Sequence, residues 1–400
     1  MSLRTIITKS LSPKNKQLLH SLLLHIYRSV SRKKLIESNL HYMVLGDSLK
    51  HAFFGYYDIT PFNGHGEVIF LELDKDSSKA DIVLYNRKTN TYEKIASTLA
   101  WNWQQGSRLR WFPKSNDRII FNDFKDGVYF ARDLNIRCGE EKIYNYPLYD
   151  IDSTGNYGLS LNFERLGVMR PGYGYTCSAY QESNDLKNEG IDLIDLKTNQ
   201  SKRIITYDEI VQKKGLKQTD FSKNYINHLS FSPSGKNIMF FWLTILGDFH
   251  KADLMVYNLD TKNITPLETE GKVSHYLWLD DNRLLCTVYD LDGNCCYFIY
   301  GLDGTKEHVF KNIDYDGHPI WYKDGQILTD SYPNQQGYQK LIVCDIHNNQ
   351  TSQLMEVFQK PAISIEKRTD LHPRYDATTD TICVDISPKG IRKLLLLSSR

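Results

Sequence analysis

The stretch DGHPIWYKDGQILTD, residues 316–330, sets a histidine three residues before a tryptophan, then a Lys-Asp-Gly turn, then a β-run. The arrangement recurs. NHLSFSPSGKNIMFF, SHYLWLDDNRLLCTV and LHPRYDATTDTICVD pair His228 with Phe231, His275 with Trp278 and His372 with Tyr375, as His318 pairs with Trp321. The chain has 12 histidines, so four in one register need a reason. DITPFNGHGEVIFLEL, RWFPKSNDRIIFND and DIDSTGNYGLSLNF share the outline without the histidine. Between these leading segments lie strand–turn–strand runs such as LMVYNLDTKNITPL and LIVCDIHNNQTSQL, whose polar turns suit tight hairpins. The seven leading segments are spaced roughly 40–53 residues apart, apart from one gap of roughly 80 holding RLGVMRPGYGYTCSAY. Units of this length, each about four strands, stack around a central channel because one blade alone cannot bury both faces. The pattern predicts an all-β, seven-bladed β-propeller; six or eight blades stay open because the long gap can hide one.

Bulk properties narrow the function. A 41% hydrophobic and 24% charged chain of 400 residues is globular, and a net charge of +1 gives no global field for nucleic acid. Seven cysteines, with no C-x-x-C, sit mostly in strand-like runs, which points to reduced thiols and a cytoplasmic setting. The first 36 residues carry eight Lys and Arg and no acid, with Leu18, Leu19, Leu22, Leu23 and Ile26 at helical spacing. Residues 1–45 are therefore expected to form a basic amphipathic helical extension and 46–400 the propeller. Residues 13–36 would touch an anionic membrane surface, or else pack on the body.

In a propeller the first strand of each blade lines the channel. Aligning the leading segments brings Tyr56, Arg108, Leu148, His228, His275, His318 and His372 to corresponding positions. Asp316 and Asp370 stand two residues before a histidine, hence on the same strand face. Such a set makes a His/Asp metal site, or a base beside a metal; its bland alternative is hydrogen bonding between blades. Arg108, Arg165, Arg170 and Arg374 are candidate anion binders, with inter-blade ion pairs as the alternative. Trp101 and Trp103 offer rings for sugar stacking, and Gln104 and Gln105 offer hydrogen bonds to hydroxyls. Arg170, Tyr173 and Tyr175 in RPGYGY read as a loop over a channel mouth. Neither a phosphate-binding loop nor G-x-S-x-G occurs.

GKVSHYLW, DGHPIWYKDGQILTDSYP and RTDLHPRYDATTDTICVD resemble the later blades of the oligogalacturonate-lyase-like propeller proteins. FFGYYDITPF, WNWQQGSRLRWFP, FNDF, LSLNFERL and RPGYGY resemble a branch of that group, so the likeness spans about residues 50–386. It implies a channel metal, typically manganese, held by histidines and a glutamine, with a further histidine as base for β-elimination. By motif, His318 and His372 correspond to metal-binding histidines, and Asp370 stands where the family's His-x-His-Pro has its first histidine. His275 falls on the segment of the presumed base, with His228 and Arg108 as further catalytic candidates near an acidic substrate. Arg165, Arg170, Tyr173, Tyr175, Trp103, Gln104 and Arg374 would contact that substrate. The family's glutamine has no clear match; Lys367 lies near its place. Two functions follow: a polysaccharide or oligosaccharide lyase acting on an acidic glycan, or a non-catalytic propeller that binds glycan or protein in cell-surface polysaccharide biosynthesis.

Overall fold

The computed structural model describes residues 33–217, 220–247, 249–269, 272–290, 292–362 and 364–399. The amphipathic helix read from the sequence lies almost wholly outside them, as does its membrane contact. Among the described residues no helix is long and apolar enough to cross a membrane.

One hairpin chemistry builds much of the architecture. At the turn between the third and fourth strands of four blades, Asn86, Asp195, Asn258 and Asp345 each accept N–H bonds from the residues two and three ahead, at 2.8–3.3 Å. Four residues beyond each stands Asn90, Asn199, Lys262 or Asn349 with positive φ, closing the turn. These hairpins, with the strands before them, give seven antiparallel sheets. The fourth blade is the longest-stranded: Asn237–Leu246 pairs along its whole length with Phe249–Asn258. Phe240, Trp242 and Met255 there are fully buried against neighbouring blades.

Closure of the ring corrects the expected boundary at residue 45. The strand His41–Leu45 pairs with Lys393–Ser398 as the outermost strand of the last blade, and Ile36–Ser38 adds a fifth strand to the sixth. The N-terminal segment thus belongs to the propeller from residue 36. Its register is held by Leu45, which is wholly buried beside Ala52 and Leu394 while Val44 stays 45% exposed.

The long gap hides no blade. It is an insertion in the third blade, between Tyr157–Ser160 and Gly190–Asp195, carrying helix α1 (Phe163–Met169) and the RPGYGY turn. Asn162 caps α1 by accepting the Arg165 N–H at 2.9 Å. Gly174 has φ +67°, and a Cβ there would lie 2.4 Å from the Gly167 nitrogen and the Phe163 oxygen, so only glycine lets the turn fold back on the helix. All seven cysteines are free thiols.

If Leu45 locks the ring, Leu45→Ala costs about 2–5 kcal/mol, whereas Val44→Ala stays within about 0.5 kcal/mol. Urea unfolding of the two variants measures this, and equal midpoints would contradict the assignment.

Candidate active site in the propeller channel

The inner strands buckle where the histidines sit. Arg108, His228 and His372 adopt left-handed backbone, with φ of 54°, 58° and 44°. The ladder also shifts register between Asn227 and Ser230 and between Val273 and His275. Left-handed backbone costs a non-glycine residue roughly 1–2 kcal/mol, and histidine tolerates it better than most. The bonds made by the turned amides offset this cost: His228 N donates to Tyr149 OH at 3.1 Å and His372 N to Asp330 Oδ2 at 3.1 Å. Gly317, just before His318, lies so close to the Asp330 carbonyl that a Cβ would stand 2.0 Å away.

The four imidazoles consequently meet. Ring centroids are 4.0 Å apart for His275 and His318 and 4.4 Å for His318 and His372. Tyr56 bridges to the fourth, 4.8 Å from His372 and 5.2 Å from His228. Three Nδ1 atoms are engaged behind the layer: His318 with Asp330 at 2.8 Å, His275 with Asp316 at 2.9 Å, and His372 with the Gly55 carbonyl at 2.8 Å. Burial lowers the His275 pKa, and His318 beside it adds to the effect, so His275 is neutral near pH 7. Burial alone would raise the Asp316 carboxyl, but His275 and the hydroxyl of Ser274 hold it far below its usual range. For His318, the nearby carboxylates of Asp330, Asp370 and Asp316 overcome burial and raise the pKa.

His318, Asp370 and His372 offer ligand atoms within 4.8 Å of one another, all buried. The donor set suits a divalent cation. His372 Nε2 is buried without a hydrogen-bond partner, and His318 is held through its other nitrogen by a carboxylate, the usual support of a metal-binding imidazole. Asp370 is shared: it accepts Arg368 Nε at 2.9 Å and Nη2 at 2.7 Å. Gln339 Nε2 also reaches it at 3.5 Å. A carboxylate has lone pairs for both a guanidinium and a metal.

The histidine layer divides the channel. Above it, toward the start of the inner strands, lies a cavity of about 820 Å³ lined by His228, His275 and Asp316. Its walls carry Arg170, Lys251, Lys272 and Arg368, with Tyr56, Tyr173, Tyr289 and Tyr332. Arg170 stands over the Tyr173 ring at 5.1 Å and Arg368 over Tyr332 at 4.6 Å. Below the layer is a separate cavity of about 320 Å³, and the two share no lining residue.

Other residues singled out in the sequence are placed elsewhere. Arg108 is buried in a two-pronged pair with Asp58, at 2.8 and 3.1 Å, and donates to the Tyr149 carbonyl at 2.8 Å. Arg165 binds the carbonyls of Phe221, Ser222 and Asn224 and reaches Glu182. Both arginines tie elements together. Arg374 lines the lower cavity, not the upper. Trp103 packs on Phe53 and His51, and Tyr175 stacks on Phe163 with its hydroxyl held by Asn122. Gln104 does line the upper cavity, its Nε2 donating to the carbonyls of Glu366 and Arg368. Asp330, Arg368, Gln339, Lys272 and Tyr332 escaped the sequence reading; the LTD ending the second strand of the sixth blade was the only trace of Asp330.

No protein-family model and no curated protein sequence matches the chain. Solved structures do. An oligogalacturonate lyase in complex with manganese aligns with TM-score 0.62 and 13% identity over 92% of this chain and 99% of that one. The fold is that of the oligogalacturonate lyases. A second such lyase, from Vibrio parahaemolyticus, gives 0.62 and 12% over 91% and 97%. The β-propeller domain of the Trilobed protease from Pyrococcus furiosus gives 0.53 and 11% over 88% and 95%, and is described as having an open velcro topology. Here His41–Leu45 closes the ring instead.

Burial, with His275 and Arg170 adding to it, holds the His228 pKa well below 6.5. The unfolded chain then takes up that proton first as pH falls, so stability present above about pH 6.5 is lost below it. In His228→Asn, which tolerates the same backbone, the drop in Tm between about pH 7.5 and 5.5 should shrink. An unchanged drop would argue against a neutral buried imidazole.

Proposed function

We propose that this propeller binds an acidic oligosaccharide in its upper cavity and cleaves it by β-elimination. The observation that carries this reading is the Asp316–His275 pair opening on a cation- and tyrosine-lined cavity, with His275 packed against His318 of the His318–Asp370–His372 group. Uronate rings bring carboxylates for Arg170, Lys272 and Arg368 to hold and sugar faces for the tyrosines to cover.

His275 serves as the base. Its Nδ1–H is given to Asp316, which leaves Nε2 as the basic nitrogen and steadies the positive charge gained with a proton. Ser274 Oγ at 2.5 Å and Tyr289 OH at 3.2 Å fix Asp316 in turn. Nε2 removes the proton on the carbon beside the carboxylate; that C–H pair becomes a ring double bond as the neighbouring glycosidic C–O bond breaks. The leaving oxygen takes a proton from water and His275 returns the one it removed to solvent, so the products are an unsaturated uronate and a shortened chain, with no co-reactant consumed. His318, Asp370 and His372 would hold a divalent cation, manganese by likeness to the matched lyase, which when bound supplies positive charge against the substrate carboxylate.

A second reading draws on Arg368. Its two-pronged grip on Asp370 already neutralises the one carboxylate of the metal group, and Lys367 stands where the family's glutamine is expected. A metal-free propeller that binds acidic glycan within polysaccharide assembly agrees with that pairing.

Incubation with uronic-acid oligomers, followed by ultraviolet absorbance of the unsaturated product, tests the reaction. Absorbance in the unsubstituted protein that His275→Ala reduces about 100-fold or more supports it; none across saturated uronate oligomers would leave the binding reading. Calorimetric titration with manganese tests the metal site separately. Binding lost in His318→Ala and His372→Ala is expected, and Arg368→Ala should tighten it about tenfold by removing a competing charge.

A further inference from the structure

The aromatic that follows each histidine by three residues has no part in the chemistry above. Three residues along a strand advance about 10 Å, so these rings stand below the histidine layer. Trp278, Trp321 and Tyr375 all line the lower cavity, joined by Tyr57 and Tyr276. Trp321 closes its rim, 41% exposed, its Nε1 held by the Trp278 carbonyl at 3.0 Å.

Within this wall the unmet hydrogen-bonding capacity is on the donor side. Arg374 is 1% exposed. Its Nε donates to the Tyr56 carbonyl at 3.3 Å, and its Nη2 to Gly55 O and Asp385 Oδ2. These bonds fix the guanidinium and leave Nη1 without a partner. Trp278 Nε1 and Tyr276 OH are likewise buried and unpartnered. Buried donors are nearly always paired, so three left unpaired in one wall mark a place that receives acceptors. Asp58, the acid of this cavity, bonds Arg108 through both oxygens and none of these three groups.

We propose that the lower mouth is a second ligand site, distinct from the upper cavity, for a ring-bearing carboxylate of the uronic-acid class. Arg374 and Trp278 receive the carboxylate, and Trp321 and Tyr375 flank the ring. The cavity, about 320 Å³, is at the small end of the range for small-molecule sites, and suits a single uronate or the end of a chain better than an extended polymer. The site stands whether or not the upper cavity is catalytic.

Calorimetry on the full-length protein with D-galacturonate, beside intrinsic tryptophan fluorescence, tests this. Expected is binding with a fluorescence change, weakened about tenfold or more in both Trp321→Ala and Arg374→Lys and unaltered in Leu49→Ala, an exposed residue that lines neither cavity. D-galactose, which lacks the carboxylate, should bind at least tenfold more weakly. Trp321 is exposed enough for its alanine variant to fold, which Tm verifies, so the test holds even if Arg374→Lys does not fold. Absent binding, affinity untouched by Trp321→Ala, or equal affinity for D-galactose would each overturn the proposal. A polymer-end ligand is separated from the monomer by an oligogalacturonate arm: tighter binding that still depends on Trp321 assigns the site to chain ends.

Discussion

One buried carboxylate organises the channel. Asp330, at the end of the second strand of the sixth blade, accepts the backbone N–H and Nδ1 of His318, both at 2.8 Å, and the N–H of His372 at 3.1 Å from the next blade. It orients one imidazole, supports the left-handed turn that delivers another, and joins two blades at the channel wall. Replacing it with an apolar residue would orphan three donors at once, at about 1–3 kcal/mol each. The other side chains of the layer, Tyr56 included, stack on what Asp330 has placed.

From that layer follows a molecule with two unlike mouths. All inner strands run the same way along the channel, so residues before each histidine belong to the upper cavity and residues after it to the lower. Lys272, Ser274 and Asp316 face one side, Trp278, Trp321 and Arg374 the other. The upper mouth is enlarged by two additions: the insertion carrying Arg170 and Tyr173, and the long hairpin of the fourth blade, which brings His250 to the rim with its Nδ1 2.6 Å from Tyr225 OH. Among the described residues the lower mouth gains no comparable addition, and it is correspondingly smaller.

Much of the architecture was legible because it repeats. Asx turns recur at one place in the blades, and His-x-x-aromatic recurs at one level of the channel, so period and register could be read without coordinates. Single events could not. HYMVL, which closes the ring, is five residues without a turn signal, and its partner strand is some 350 positions away. Which partner each arginine meets was not legible for a related reason. Arg108, Arg165 and Arg170 look alike in sequence, yet the first meets Asp58 and Tyr149, the second meets three carbonyls, and only the third faces the upper cavity. Arg374, two residues past His372, lines the lower cavity and not the upper. His318, Asp370 and His372, on two neighbouring blades, do bring their ligand atoms together.

The measurement that bears most directly on this account is a crystal structure of the full chain, with attention to the channel. The account requires His228, His275, His318 and His372 at one level, Asp330 bonded to both amides and to His318 Nδ1, and no passage between the two cavities. Imidazoles turned outward into blade interfaces, with Asp330 paired elsewhere and an open channel from mouth to mouth, would contradict it.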